Sequence, residues 1–319
     1  MAYRLKLKEP LVKGVRRVAS EQLANAAARL QGDSDPESGV HEARKSLKRT
    51  RALLRLVRPG LGDAHFRRLN IQLRDVARQL SAARDGDVVR RLLQGLQQEA
   101  KPSVAKAARH LIAILDAAPA EPGGAASPAS GFTAALKEIN AIRSDVADVG
   151  LEPASFDTIV AGLVRSHKSG CKALARVLEA PSEEEPLHDL RKAAQAYWRQ
   201  MILIQQAWPE ACLARGAAAK HVADLLGQDH DIALLDAILA GPDGEALTAA
   251  ERRALVRYCA GRHAELRGAV LPKAQLLFAE RSEELGHRMR HLWEAARAGA
   301  MARVPAPAAD DEVGTRESS

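Results

Sequence analysis

Apolar residues recur at three- and four-residue steps along almost the whole chain of 319 residues, and no stretch alternates apolar with polar residues in the β-branched, aromatic-rich manner of a strand. The expected fold class is all-α. Only ten residues are aromatic (four Phe, three Trp, three Tyr), so Leu, Ala and Val must fill nearly all of the core, and Leu and Ala are strong helix formers. Pro and Gly punctuate the pattern at Gly32 to Gly39, Pro59 to Gly62, Pro102, Gly150 to Pro153, Pro181 to Pro186, Pro209 and "AGPDGEA", leaving helices of bundle length.

The longest interruption, Ala118 to Gly131, is Pro, Gly, Ala and Ser with one Glu. It reads as a linker over about 119–131, joining halves of about 1–118 and 132–300. Beyond Met301 the tail, 301–319, has the composition of a disordered segment. Cys171, Cys212 and Cys259 are widely spaced and odd in number, which suggests core thiols in a reducing compartment rather than disulfides or a zinc site. No apolar run approaches a membrane span and the N-terminus lacks a signal-peptide pattern, so the expected location is cytoplasmic, with no membrane partner.

An internal repeat organises the chain further. The segments "VHEARKSLKRTRALLRLVRP" and "LHDLRKAAQAYWRQMILIQQAWP" both open apolar-His-acid-x-Arg-Lys and run to a proline. His41 pairs with His188, Arg44 with Arg191 and Lys45 with Lys192. A Leu-rich segment follows each, ending in "RDGDVV" and "QDHDIALL", which are expected to be acidic turns that cap a helix and pair with nearby Arg. An ordered pair of such units argues for duplication.

The formal charge of +7 points to a polyanionic partner or an anionic membrane surface without choosing between them. Its distribution is more informative. The 51 residues from His41 to Arg91 hold 14 Lys or Arg against 5 Asp or Glu, whereas the 51 from His188 hold 5 against 6. On a helix, Arg44, Lys45, Lys48, Arg51, Arg55 and Arg58 fall within about 100° of His41, with Ala43, Leu47, Leu53, Leu54 and Val57 on the far side. A solvated face mixes signs at i,i+4, whereas here like charges stack as Lys45 over Arg49 and Arg51 over Arg55, at a cost of a few tenths of a kcal/mol each. That pattern favours a dedicated anion surface. Arg67, Arg68, Arg74, Arg78 and Arg84 extend it, and Arg165, Lys168, Lys172 and Arg176 recur at helical steps just before the second His segment. Arg257, Arg262, Arg267, Arg281, Arg288 and Arg290 alternate with Glu and read as mostly solvated.

The duplicated His-x-x-Arg-Lys helices and the "RDGDV" and "QDHDIALL" segments resemble the CHAD (histidine α-helical domain) family from about Pro10 to Ala300. The resemblance implies two pseudosymmetric antiparallel four-helix bundles, and non-catalytic binding of inorganic polyphosphate in a basic groove or pore at their junction, in some members at polyphosphate granules. It carries His41, Arg44, Lys45, Lys48 and Arg51 over as anion contacts in one half, with His188, Arg191 and Lys192 in the other. The basic faces add Arg55, Arg74, Arg78, Arg165, Lys168, Lys172, Arg199 and Lys220. Gln195, Ala196 and Trp198 depart from the pattern where more Lys and Arg belong, so equal participation of the halves does not follow. No ExExK signature of a triphosphate tunnel enzyme accompanies "YRLKLKEP", which gives the stand-alone form.

The chemistry fits a flexible phosphate chain, which needs only many Lys and Arg donors on a rigid support. Two other readings stand beside it. Nucleic acid would bind through its backbone, although no aromatic platform interleaves with the stripe. A metal-dependent phosphohydrolase would draw on His221, Asp224, Asp229, His230 and Asp231, whose spacing does not define a converging ligand set. No cofactor, metal ligand or catalytic residue is expected.

Overall fold

Every interruption read from the sequence falls at or beside a helix end. In the computed structural model, which describes residues 3–32, 36–80, 84–117 and 128–302, the described residues form twelve α-helices, one 3-10 turn at Gln205–Ala207 and no strand. The helices are α1 (Leu11–Gly32), α2 (Pro36–Leu61), α3 (Asp63–Gln79), α4 (Arg84–Glu99), α5 (Pro102–Ala117), α6 (Pro128–Ala147), α7 (Phe156–Glu179), α8 (Glu184–Leu203), α9 (Pro209–Ala240), α10 (Pro242–Glu245), α11 (Ala249–Leu277) and α12 (Ser282–Ala302). Proline opens α2, α5, α6, α9 and α10, where its missing N–H costs nothing. Gly62 takes φ 82° between α2 and α3, a conformation that glycine adopts without strain. Ser155 caps α7, and Thr248 with Glu251 forms a reciprocal capping box on α11.

Three expectations change at this level. Pro128 to Gly131, read as the end of a linker, form the first turn of α6, while 118–127 lie outside the described residues. Met301 and Ala302, read as tail, complete α12, and 303–319 lie outside. One of the two acidic turns, "QDHD", is not a turn. Asp229 and Asp231 sit in mid-helix within an unbroken α9, and Asp85 to Asp87 fall in the first turns of α4. The helix does not break at "QDHD" because the side chains of α11 satisfy Asp229: His263 Nδ1 lies 2.6 Å and Arg267 Nε 3.0 Å from its Oδ1.

Burial follows the predicted faces. Ala43, Leu47, Leu53, Leu54 and Val57 are completely buried, each Leu contributing roughly 1.5–3 kcal/mol. Two hydrophobic cores result. The larger joins α1, α2, α3, α6, α7, α8 and α12 with the N-terminal half of α9 and the C-terminal end of α11. The smaller joins α4 and α5 with the C-terminal half of α9 and much of α11. Both draw on residues from before and after the Pro/Gly/Ala stretch.

Two local features fix how these helices approach one another. At the crossing of α7 and α2, a Cβ on Gly162 would overlap the carbonyl of Leu56, so only glycine allows this approach. The antiparallel α9 and α11 are tied by His263, which bridges Asp229 and Asp236, and by Arg267 on Asp229. Arg267 is only 18% exposed at its side chain, and Arg288 together with Arg215 holds Glu280. Arg267 and Arg288 are thus pairing groups, not the solvated ones expected.

Candidate functional site

Because the apolar side of α2 is buried, its other side is fixed in direction, and it faces a cleft of about 660 Å³ where α2, α3, α4, α8 and α9 meet. From α2 come His41, Arg44, Lys48, Arg51 and Arg55, and from α3 comes Arg74. From α8 come His188, Arg191, Lys192 and Arg199. Ten of the sixteen candidate residues therefore line one space, although His41 and His188 are separated by well over a hundred positions in the chain. Among the described residues, eight Lys or Arg side chains face it, and Asp231 is the one carboxylate in the lining.

Two guanidinium groups of this cleft donate to neutral acceptors: Arg51 Nε to Asn70 Oδ1 at 3.0 Å and Arg199 Nη1 to the Gln195 carbonyl at 2.8 Å. Burial, with repulsion from Arg55 and Arg74, brings Arg51 down from 12.5 to about 10. Burial also brings Arg199 to about 10, opposed by Tyr3 and helped by Arg49 and Arg55. Arg55 is lowered by burial and by Arg58, and Arg191 by burial against the pull of Asp231 and Asp224. Guanidinium ordinarily keeps its proton above pH 12. Four of them are displaced downward together here, because burial penalises the charged form. Arg191 Nε is buried with no hydrogen-bond partner among the described residues, and its guanidinium lies across Gly227 of α9.

His188 faces His230, ring centroids 5.9 Å apart. Burial, followed by Lys192, His230 and Arg191, lowers His188 below the ordinary imidazole value. In the free cleft it therefore holds its proton less readily than a free imidazole. His230, Asp231 and Asn70 are lining residues that the reading of basic stripes passed over, because none of them is Lys or Arg, and α9, which holds the first two, has few basic residues. The place of His230 within "QDHD" is the one sequence signal that marks it.

A second cleft of about 550 Å³ adjoins the first and shares Arg55, Asn70, Lys192 and Ala196 with it. Arg165, Lys172 and Arg176 of α7 line it, together with Arg58 of α2. Four candidate residues line neither cleft. Lys45 is paired with Glu42 at 3.1 Å and Arg78 with Asp75 at 3.1 Å. Lys168 meets Glu283 at 2.5 Å, and Lys220 meets Asp224 at 2.5 Å while lying over the Trp198 ring. The stripe angle could not separate them, since each is within helical reach of a cleft residue.

The residues that suggested a phosphohydrolase do not converge. Asp229 is buried against α11, Asp224 is exposed on Lys220, and His230 and Asp231 face the cleft. Among the described residues, no group of three or more His, Cys, Asp or Glu is placed to hold a metal ion. No helix among them is long and apolar enough to cross a membrane.

The family model described as CHAD domain matches residues 17–240. The fold is similar to the crystal structure of the CHAD domain from the plant Ricinus communis, with a TM-score of 0.53 and 20% identity, over 88% of this chain and 93% of that chain. No curated protein matches the sequence.

Proposed function

The chain belongs to the CHAD domain family, and from that premise we propose that it binds inorganic polyphosphate, without catalysis, in the cleft where α2 and α8 meet. The observation that carries this reading is that, among the described residues, eight Lys and Arg face one carboxylate in the lining, with several guanidinium groups held below their ordinary pKa by burial. Phosphate oxygens supply what these groups lack: acceptors for Arg in pairs and point-charge partners for Lys. We also read α2 and α8 as equivalent helices of a duplicated unit, ancestral to two pseudosymmetric four-helix bundles. Their meeting at one cleft supports this. The halves then contribute unequally, α2 giving four cations and α8 three.

Absence of Phe, Tyr and Trp from the lining among the described residues favours a chain without bases over a nucleic-acid single strand, which is held largely by stacking. A cytoplasmic protein associated with polyphosphate granules is the corresponding proposal for its location. A competition titration of long-chain polyphosphate against duplex DNA, matched in phosphate and run at low and physiological salt, tests the binding. Polyphosphate binding that DNA cannot displace supports it, and equal competition moves general nucleic-acid binding ahead.

A further inference from the structure

The two clefts share a border formed by Arg55 of α2 and Lys192 of α8, with Asn70 of α3 common to both linings. Basic residues therefore continue past the first cleft onto α7, at Arg165, Lys172 and Arg176. The seam has no apolar barrier, since Ala196 is the one apolar residue common to both linings.

In the second cleft the cations are provisionally occupied. Asp63 accepts from Arg58 Nε at 2.7 Å and lies 3.7 Å from Arg165, while Asp189 holds Arg176 and Lys192, each at 3.1 Å. These carboxylates are themselves about a third to a half exposed, and ion pairs of that kind contribute only about 0–1 kcal/mol. A phosphate chain with a charge on every unit can displace them.

We propose that one polyphosphate chain occupies both clefts, crossing between Arg55 and Lys192, so that the second cleft selects long chains over short ones. This rests on the polyphosphate reading above. His41 and Arg55 lie fourteen residues apart on α2, about 21 Å at 1.5 Å per residue, so a short oligomer such as inorganic tripolyphosphate satisfies only part of the first cleft. A long chain fills the first cleft and presents its continuation to the second at high effective concentration, a gain of about tenfold or more without any new contact in the first.

The test measures affinity for inorganic tripolyphosphate and for chains of many tens of phosphates, in the native protein and in the double variant Arg165→Gln/Lys172→Gln. Both side chains are exposed, so the helices remain. Long chains also gain from offering many registers, but that gain is common to both proteins, and the quantity to compare is therefore the ratio of long-chain to short-chain affinity. The ratio is expected to fall about tenfold or more in the variant, and in Arg176→Gln to a lesser degree. An unchanged ratio overturns the inference alone, and so does equal affinity of the native protein for both lengths. Failure of the native protein to bind either chain overturns the polyphosphate reading and the inference together.

Discussion

His188 on α8 and His230 on α9 face each other at the basic cleft with ring centroids 5.9 Å apart. Beside Lys192, His230 and Arg191, and partly buried, His188 gives up its proton more readily than a free imidazole while the cleft is empty. An entering polyanion reverses the sign of the local field and favours the imidazolium form.

Affinity for polyphosphate is accordingly expected to rise as pH falls. His188 has a folded pKa below its unfolded value of about 6.5, so its contribution to the stability of the free protein is complete above about pH 6.5 and is lost as pH falls through the lowered folded value. Buried His167 acts in the same direction. Binding restores what is lost at His188, because the bound state takes up the proton. Titrations at pH 8, 7 and 6 at constant ionic strength check this, and His188→Gln should flatten part of the rise; a pH-independent affinity in the native protein would contradict it.

Arg44→Glu with Lys48→Glu should nearly abolish polyphosphate binding while helicity by circular dichroism persists. Neutralising each of these contacts should reduce the slope of log affinity against log salt by about 1. Lys220→Gln is the contrast. That side chain lies outside both clefts on Asp224, and losing one exposed pair should move affinity less than about twofold.

Arg199→Met separates stability from binding. Arg199 is 7% exposed, and burial holds its pKa near 10. Replacing it by an apolar side chain of similar length removes a desolvated charge together with a stacking contact on Trp198. Urea unfolding of the free protein should show stability unchanged or raised by about 1 kcal/mol. Polyphosphate affinity should fall about tenfold or more, the roughly 1.5–3 kcal/mol of a charge-assisted hydrogen bond.

Asp189→Asn releases Lys192 and Arg176 from an exposed carboxylate. Since such pairs are worth about 0.2–1 kcal/mol, low-salt affinity for long chains should increase about two- to fivefold. A decrease would show that Asp189 positions these cations rather than competing for them.

Gly162→Ala should destabilise the fold by about 3 kcal/mol, because the new methyl group meets the Leu56 carbonyl of α2 and neither helix backbone can move independently. The urea midpoint reads this directly.

Much of this site was legible in the chain. The period of α2 separates Leu47, Leu53 and Leu54, all fully buried, from Arg44, Lys48 and Arg51, all in the cleft. Prolines marked helix starts because only a first-turn residue can spare its N–H. The acidic turn at "QDHD" failed for a related reason: Asp229 has the look of a cap in sequence, yet in the folded chain it is a buried acceptor for His263 and Arg267, which lie more than thirty positions further on.

Sequence by itself determined the helices, the faces they bury, the excess of charge on α2 and membership of a family, because each of these depends on residues within a few turns of one another or on recurring motifs. The tertiary structure decided that α8 and α9 bring His188, Arg191 and His230 to the same space as His41, that Lys45 and Lys220 turn to nearby carboxylates instead, and that a second cleft opens beyond Arg55. A helical pattern states which side of a helix is polar, but not which other helix that side will meet. That choice is made by packing, here by contacts such as Gly162 on Leu56 that no local pattern encodes.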